Sequence, residues 1–178
     1  MKSLFLCGGI GQRMLPLTED KFLLPFLGKT LLEHQLKLAT EAGLAKFILV
    51  CNPQNRERVQ AIANKIPGAS IEIAIQAKAK GIANGLEVAT PYLTEELLII
   101  NPNDIFDGAA YAAILASRQP NQAASVLGYR VSSYFPGGYL VTDERGVLKG
   151  IVEKPGAGHE PSDLVNLMVH WHADPEAL

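Results

Sequence analysis

With 178 residues, of which 48% are hydrophobic, the chain holds enough apolar material for one sizeable core and is too short for two ordinary domains. A formal net charge of -2 excludes a global basic field of the kind that draws in nucleic acid or an anionic membrane, so any anion site must be local. The two cysteines, Cys7 and Cys51, each end an apolar run, which predicts buried strand residues in a reducing compartment rather than a disulfide framework or a metal cluster.

The first apolar run, "SLFLC", is too short for the hydrophobic region of a secretion signal and passes directly into "GGIGQR"; a cytoplasmic protein is expected. Further runs of strand length follow at "KFILVC", "IEIAI", "ELLII" and "AASVLGY", none long enough to span a bilayer. Between them lie segments of helical period. "KTLLEHQLKLATEAG" sets Leu31, Leu32, Leu36 and Leu38 along one broad face and stops at Gly43. "NRERVQAIANKI", "GIANGLEVAT" and "GAAYAAILASR" are the other helix candidates. This alternation reads as an α/β fold. After Tyr129 the rhythm changes: "GGYLVTDERGVLKGIVEKP" predicts two antiparallel strands around a turn at Glu144 to Gly146, inserted into the βα pattern.

Gly8, Gly9 and Gly11 follow the first strand and let backbone N–H groups approach a ligand closely, for which phosphate is the natural guest. Arg13 adds a forked permanent cation and Lys21 a mobile ammonium. A dinucleotide fingerprint would need glycine where Met14 stands, and a P-loop would need G-K-S or G-K-T, so neither motif applies. The stretch "GGIGQRMLPLTEDKFLLPFLGKTLLEH" instead resembles the signature of the sugar-1-phosphate nucleotidyltransferases, G-G-x-G-x-R-L-x-P-L-T followed by P-K-x-L-L-P and G-K-P. In this chain Asp20 takes the place of the proline before the lysine and Thr30 that of the proline in G-K-P.

The resemblance continues along the chain and implies an α/β, Rossmann-like three-layer sandwich with a mostly parallel mixed sheet and a β-hairpin insertion. "QAKAKGIANGLEVA" is similar to the family segment Q-P-x-x-x-G-x-A, which gives Gln76 the base and sets Gly81 beside it. An amide pairs well with the donor and acceptor edge of uracil or thymine, so UTP or dTTP is favoured. Asp104, at the end of "ELLII" plus a turn, sits where the family carries an aspartate that holds Mg²⁺, with Asn103 in place of the usual glycine. Gly138, Glu153 and Lys154 match the sugar and sugar-phosphate positions, and Asn166 matches an asparagine of the same segment. Met168, His170 and His172 stand where glycine, tyrosine and phenylalanine are usual. The two histidines share a strand face without an evident third metal ligand.

What the resemblance implies is transfer of a nucleoside monophosphate from a nucleoside triphosphate to a sugar-1-phosphate, with pyrophosphate released, Arg13 and Lys21 as the catalytic cations and Mg²⁺ as cofactor. The expected partners are these two small molecules, with no nucleic acid and no membrane, and the pattern is compatible with a homo-oligomer. Residues 1–178 read as a single nucleotidyltransferase-like domain that stops before the family's C-terminal part, which carries a second metal-binding aspartate. Two other readings stand beside it: a non-catalytic domain that binds nucleotide and sugar phosphate, and a cytidylyl- or guanylyltransferase with another acceptor.

Overall fold

The computed structural model describes residues 1–9, 20–104 and 106–175. In chain order these form β1 (Lys2–Cys7), a 3-10 turn (Lys21–Leu23), the short strands β2 (Pro25–Phe26) and β3 (Lys29–Thr30), and α1 (Leu31–Glu41). Next come β4 (Lys46–Cys51), α2 (Arg56–Ala63), β5 (Ser70–Ile75), α3 (Ile82–Ala89), a 3-10 turn (Thr90–Tyr92), β6 (Leu97–Ile100) and α4 (Gly108–Ala116). The chain closes with β7 (Ala124–Arg130), β8 (Gly138–Thr142), β9 (Leu148–Glu153) and β10 (Leu164–His172).

The main sheet runs β5-β4-β1-β6-β10-β8-β9, with β7 also on β10. The pairs β5-β4, β4-β1 and β1-β6 are parallel, joined by crossover helices. Antiparallel pairing starts at β10, where Val169–His172 oppose Leu97–Ile100 of β6. β7 lies along the other side of β10, and Val165 opposite Tyr139 ties in the β8–β9 hairpin. The expected α/β architecture and hairpin are both present.

The period-two alternation of the central strands builds two cores. Leu4, Ile48, Val50, Leu97 and Ile99 face Leu86 and Ala89 of α3 on one side of the sheet. Phe5, Phe47, Leu49, Leu98 and Ile100 face α1, α2 and α4 on the other, where Leu36, Val59 and Tyr111 are buried. Helices on both faces explain why β4 is an almost unbroken apolar run, with only Lys46 exposed. Cys7 and Cys51 are register partners in adjacent strands and both are buried free thiols, as expected. Burial pushes the Cys51 thiol up to about 11 and raises the Cys7 thiol as well.

Helix α1 starts later than its periodicity suggests, because Lys29 and Thr30 pair with Phe26 and Pro25 as a short ribbon. Thr30 then acts as the N-cap, its hydroxyl accepting the Glu33 N–H at 3.2 Å, a contact worth about 1 kcal/mol. Gly43 ends the helix at φ +88° as predicted, with the Leu44 N–H returning to the Ala39 carbonyl. The hairpin turn forms where expected: Asp143 accepts the N–H groups of Arg145 and Val147.

Candidate nucleotide and sugar-phosphate site

The carboxyl ends of β1, β5 and β6 enclose a cavity of about 200 Å³ whose lining includes Gly8, Gly9, Gln76, Gly81, Asn103 and Met168. Ligands of open α/β sheets bind at this edge. Gln76 is 4% exposed, just past the end of β5. Its Nε2 donates to the Gly81 carbonyl at 3.0 Å and to Asn84 Oδ1 at 3.2 Å, which fixes the orientation of the amide. Its Oε1 then lies over Gly8, so close that a Cβ there would sit 2.1 Å away. Glycine at position 8 is thus required by the buried glutamine as well as by any incoming ligand. Gly11 and Arg13 lie outside the described residues.

Asp104 lies beyond β6 in the turn Asn101–Asp104, held by its main chain. Gln35 of α1, 2% exposed, donates from Nε2 to the Asp104 carbonyl at 3.1 Å, and the Tyr111 hydroxyl of α4 donates to Gln35 Oε1 at 3.0 Å. Burial raises the Asp104 carboxyl above its ordinary value, and the Lys21 ammonium offsets part of that rise. Lys21 and Asp104, both singled out from the sequence, are thus near enough to act on each other electrostatically. The carboxylate is under-compensated, which suits a cation that keeps its own waters and draws further oxygens from phosphate, as Mg²⁺ does. Among the described residues no group of three or more His, Cys, Asp or Glu could hold a metal by itself.

A second cluster forms where β8 and β9 pair. Gly138 opposes Glu153, whose Oε2 would lie 3.1 Å from a Cβ at position 138, and Lys154 follows at φ +46° with its N–H on the Gly137 carbonyl. The Lys154 ammonium stands 3.7 Å from Glu153 Oε1, and both side chains are largely exposed. Asn166 and Met168 lie at the register shift of β10, and Met168 also lines the cavity. Asn166 Oδ1 accepts the Met168 N–H at 3.0 Å and contacts His170 Nε2 at 2.8 Å, so that nitrogen carries the proton. Met168 takes φ +48°, rare for a residue with a side chain, and its carbonyl accepts the Asn101 N–H at 3.1 Å. Burial, with His172 nearby, pulls His170 down to about 4.

Sequence reasoning missed three buried amides that hold the site together: Gln35, Asn52 and Asn55. Gln35 falls on the apolar face of α1 between Leu32 and Leu36, where a polar residue breaks the pattern and is the available clue. Asn52 and Asn55 bracket "NPQN" immediately after β4, a stretch that reads as an ordinary turn.

The model of the nucleotidyl transferase family matches residues 2–167. The chain is 27% identical over 172 residues to UTP–glucose-1-phosphate uridylyltransferase AglF of Haloferax volcanii, covering 93% of this chain and 69% of that protein. It is 26% identical over 161 residues to a glucose-1-phosphate thymidylyltransferase of Neisseria gonorrhoeae, covering 87% of this chain and 56% of the relative. Its backbone superimposes on UDP-glucose pyrophosphorylase complexed with UDP-glucose with a TM-score of 0.79 at 22% identity, covering 97% of this chain and 75% of that one. No helix among the described residues is long and apolar enough to cross a membrane. A family model that runs from β1 into the start of β10, together with the same fold and the signature around Gly8 and Lys21, supports one conclusion: the chain belongs to the nucleotidyl transferase family.

Proposed function

We propose that the site transfers a uridylyl or thymidylyl group from UTP or dTTP to a sugar-1-phosphate, releasing pyrophosphate. The observation that carries this reading is the fixed Gln76 amide over Gly8, beside the Asp104–Lys21 pair. With Nε2 committed to Gly81 and Asn84, Gln76 offers Oε1 as an acceptor. Uracil and thymine carry a ring N–H that suits it, whereas the ring nitrogen of cytosine is itself an acceptor. Guanine also carries a ring N–H, and a GTP arm of the assay separates it from the two pyrimidines.

The nucleophile is a phosphate oxygen already anionic near neutral pH, so no general base is demanded of the chain. An oxygen of the sugar phosphate attacks the α-phosphorus, the bond from that phosphorus to the bridging oxygen breaks, and pyrophosphate leaves with the electron pair. The difficulty is bringing two polyanions into line, which is met by positioning and charge. Backbone N–H groups at Gly8 and Gly9, with Arg13 and Lys21, hold the triphosphate. Lys154 meets the sugar phosphate and Glu153 the sugar hydroxyls, while the Asn166 amide, engaged with Met168 and His170, reaches the sugar only by exchanging those bonds. Mg²⁺ held by Asp104 supplies neutralisation of the phosphate oxygens when bound.

The test is pyrophosphate release with Mg²⁺, each common nucleoside triphosphate and a panel of sugar-1-phosphates, with Asp104→Asn as control. Release that needs UTP or dTTP and is lost in the control is the expected result. The position of Met168 on the cavity wall favours one other reading, a binding domain without turnover. UTP binding by calorimetry with no pyrophosphate release would select it.

A further inference from the structure

We propose that Asn55 is a positioning residue that clamps both ends of the glycine-bearing segment, fixing where the Gly8–Gly9 backbone and Lys21 meet a triphosphate. The inference rests on the nucleotidyltransferase reading above and adds a residue outside the family signature. Asn55 stands in the connection between β4 and α2 and is 1% exposed. Its Nδ2 donates to the carbonyl of Cys7 at 2.9 Å and to Asp20 Oδ1 at 3.1 Å, while its Oδ1 accepts the Asn52 N–H at 3.0 Å. Cys7 is the residue before Gly8, and Asp20 is the residue before Lys21. One amide therefore joins the last residue of β1 to the start of the lysine turn, and its own placement comes from a third element.

That third element is itself braced. Asn52, 6% exposed, accepts the N–H groups of Gln54 and Asn55 on its Oδ1 at 3.0 and 2.9 Å, and its carbonyl receives the Arg56 N–H at 3.2 Å. The stretch "NPQN" is thus a rigid bracket at the carboxyl end of β4. A buried amide with its donors and acceptor all engaged adds little net stability compared with an apolar filler, but it permits only one arrangement of its partners. The bracket on β4 adjoins the Gln76 pocket, since the Gln76 N–H donates to the Cys51 carbonyl at 2.8 Å, but the Gln76 side-chain amide is fixed by Gly81 and Asn84. Loss of Asn55 should therefore weaken phosphate recognition more than base recognition.

The experiment compares wild type, Asn55→Ala and the milder Asn55→Ser, with UTP binding followed by calorimetry, uridine binding by ligand-observed NMR, and pyrophosphate release in parallel. The expected result is UTP affinity weakened about tenfold in Asn55→Ala, less in Asn55→Ser, with uridine affinity reduced clearly less than that of UTP and kcat lowered. Equal UTP affinity in wild type and a folded variant would overturn the inference, and so would an equal loss of UTP and uridine, which marks a general structural role. If Asn55→Ala does not fold, Asn55→Ser carries the same comparison. Wild type that binds neither UTP nor dTTP would instead overturn the functional reading on which the inference stands.

Discussion

The parallel half of the sheet and the antiparallel half treat their functional groups in opposite ways. Gln76 at the end of β5 is almost fully buried and bonded through its amide, whereas the side chains of Glu153 and Lys154 at the end of β9 are 68% and 49% exposed and face each other at 3.7 Å. The scaffolds differ likewise: β4 is buried beyond its first residue, while β9 leaves Leu148, Ile151 and Val152 exposed. The surroundings of Gln76 are organised without a ligand, so one bound there would lose little affinity to ordering. The Glu153–Lys154 pair stands in water, where pairing is weak and salt-sensitive.

The bluntest way to break this contrast is to hollow each half. Phe5→Ala in β1, where the ring is fully buried against Phe47, should cost about 3–5 kcal/mol in chemical denaturation. Ile151→Ala in β9, 42% exposed, should cost under about 1 kcal/mol. Equal costs would show that β9 is covered in solution.

A finer cut separates pocket from fold. Gly8→Ala must drive Gln76 Oε1 aside and strain its bonds to Gly81 and Asn84, a loss of about 1–3 kcal/mol felt in UTP affinity by calorimetry. The same variant without effect on UTP would remove Gln76 from the base site.

The junction between the halves should respond to acid. His170 is held near 4 by burial and His172, below the ordinary histidine value, so the unfolded chain takes up a proton that the folded chain refuses. Its contribution to stability is complete above about 6.5 and is lost as the pH falls through about 4, by at most about 1.4 kcal/mol per pH unit. Urea midpoints measured from pH 7 to 4 should fall less steeply in His170→Gln. His172, also lowered by burial, retains part of the slope. A variant with the wild-type slope would refute the assignment.

The smallest expected effect belongs to the exposed pair. Lys154→Ala should change the unfolding free energy by less than about 0.5 kcal/mol while weakening glucose-1-phosphate binding severalfold at low salt, a difference that closes as salt is raised. Unchanged binding would move the acceptor phosphate elsewhere.

Much of this arrangement is legible in the chain because the parallel half obeys local rules. Strand-length apolar runs, the stop at Gly43 and the turn around Asp143 each follow from nearby residues, and the signature joins Gly8 to Lys21 in sequence. What remains hidden depends on long-range contact. Gln35 reaches Asp104 and Asn55 reaches Cys7 across the fold, and no periodicity reports such a bond. Met168 is a different case: its left-handed backbone follows from β10 changing neighbours between Asn166 and His170, which a strand-like sequence does not announce.

That change of neighbours also orders the folding of the molecule in time. β1, β4, β5 and β6 assemble through successive βα units, each pairing within roughly the first hundred residues. β10 is the strand through which β7 and the β8–β9 hairpin join β6, so the antiparallel half has no place on the sheet until residues 164–172 exist. Long-range pairing is slow to close. On a ribosome, the framework around Gln76 therefore forms first, and the side carrying Glu153 and Lys154 locks late, when β10 slots between β6 and β7 and brings Met168 to the cavity wall.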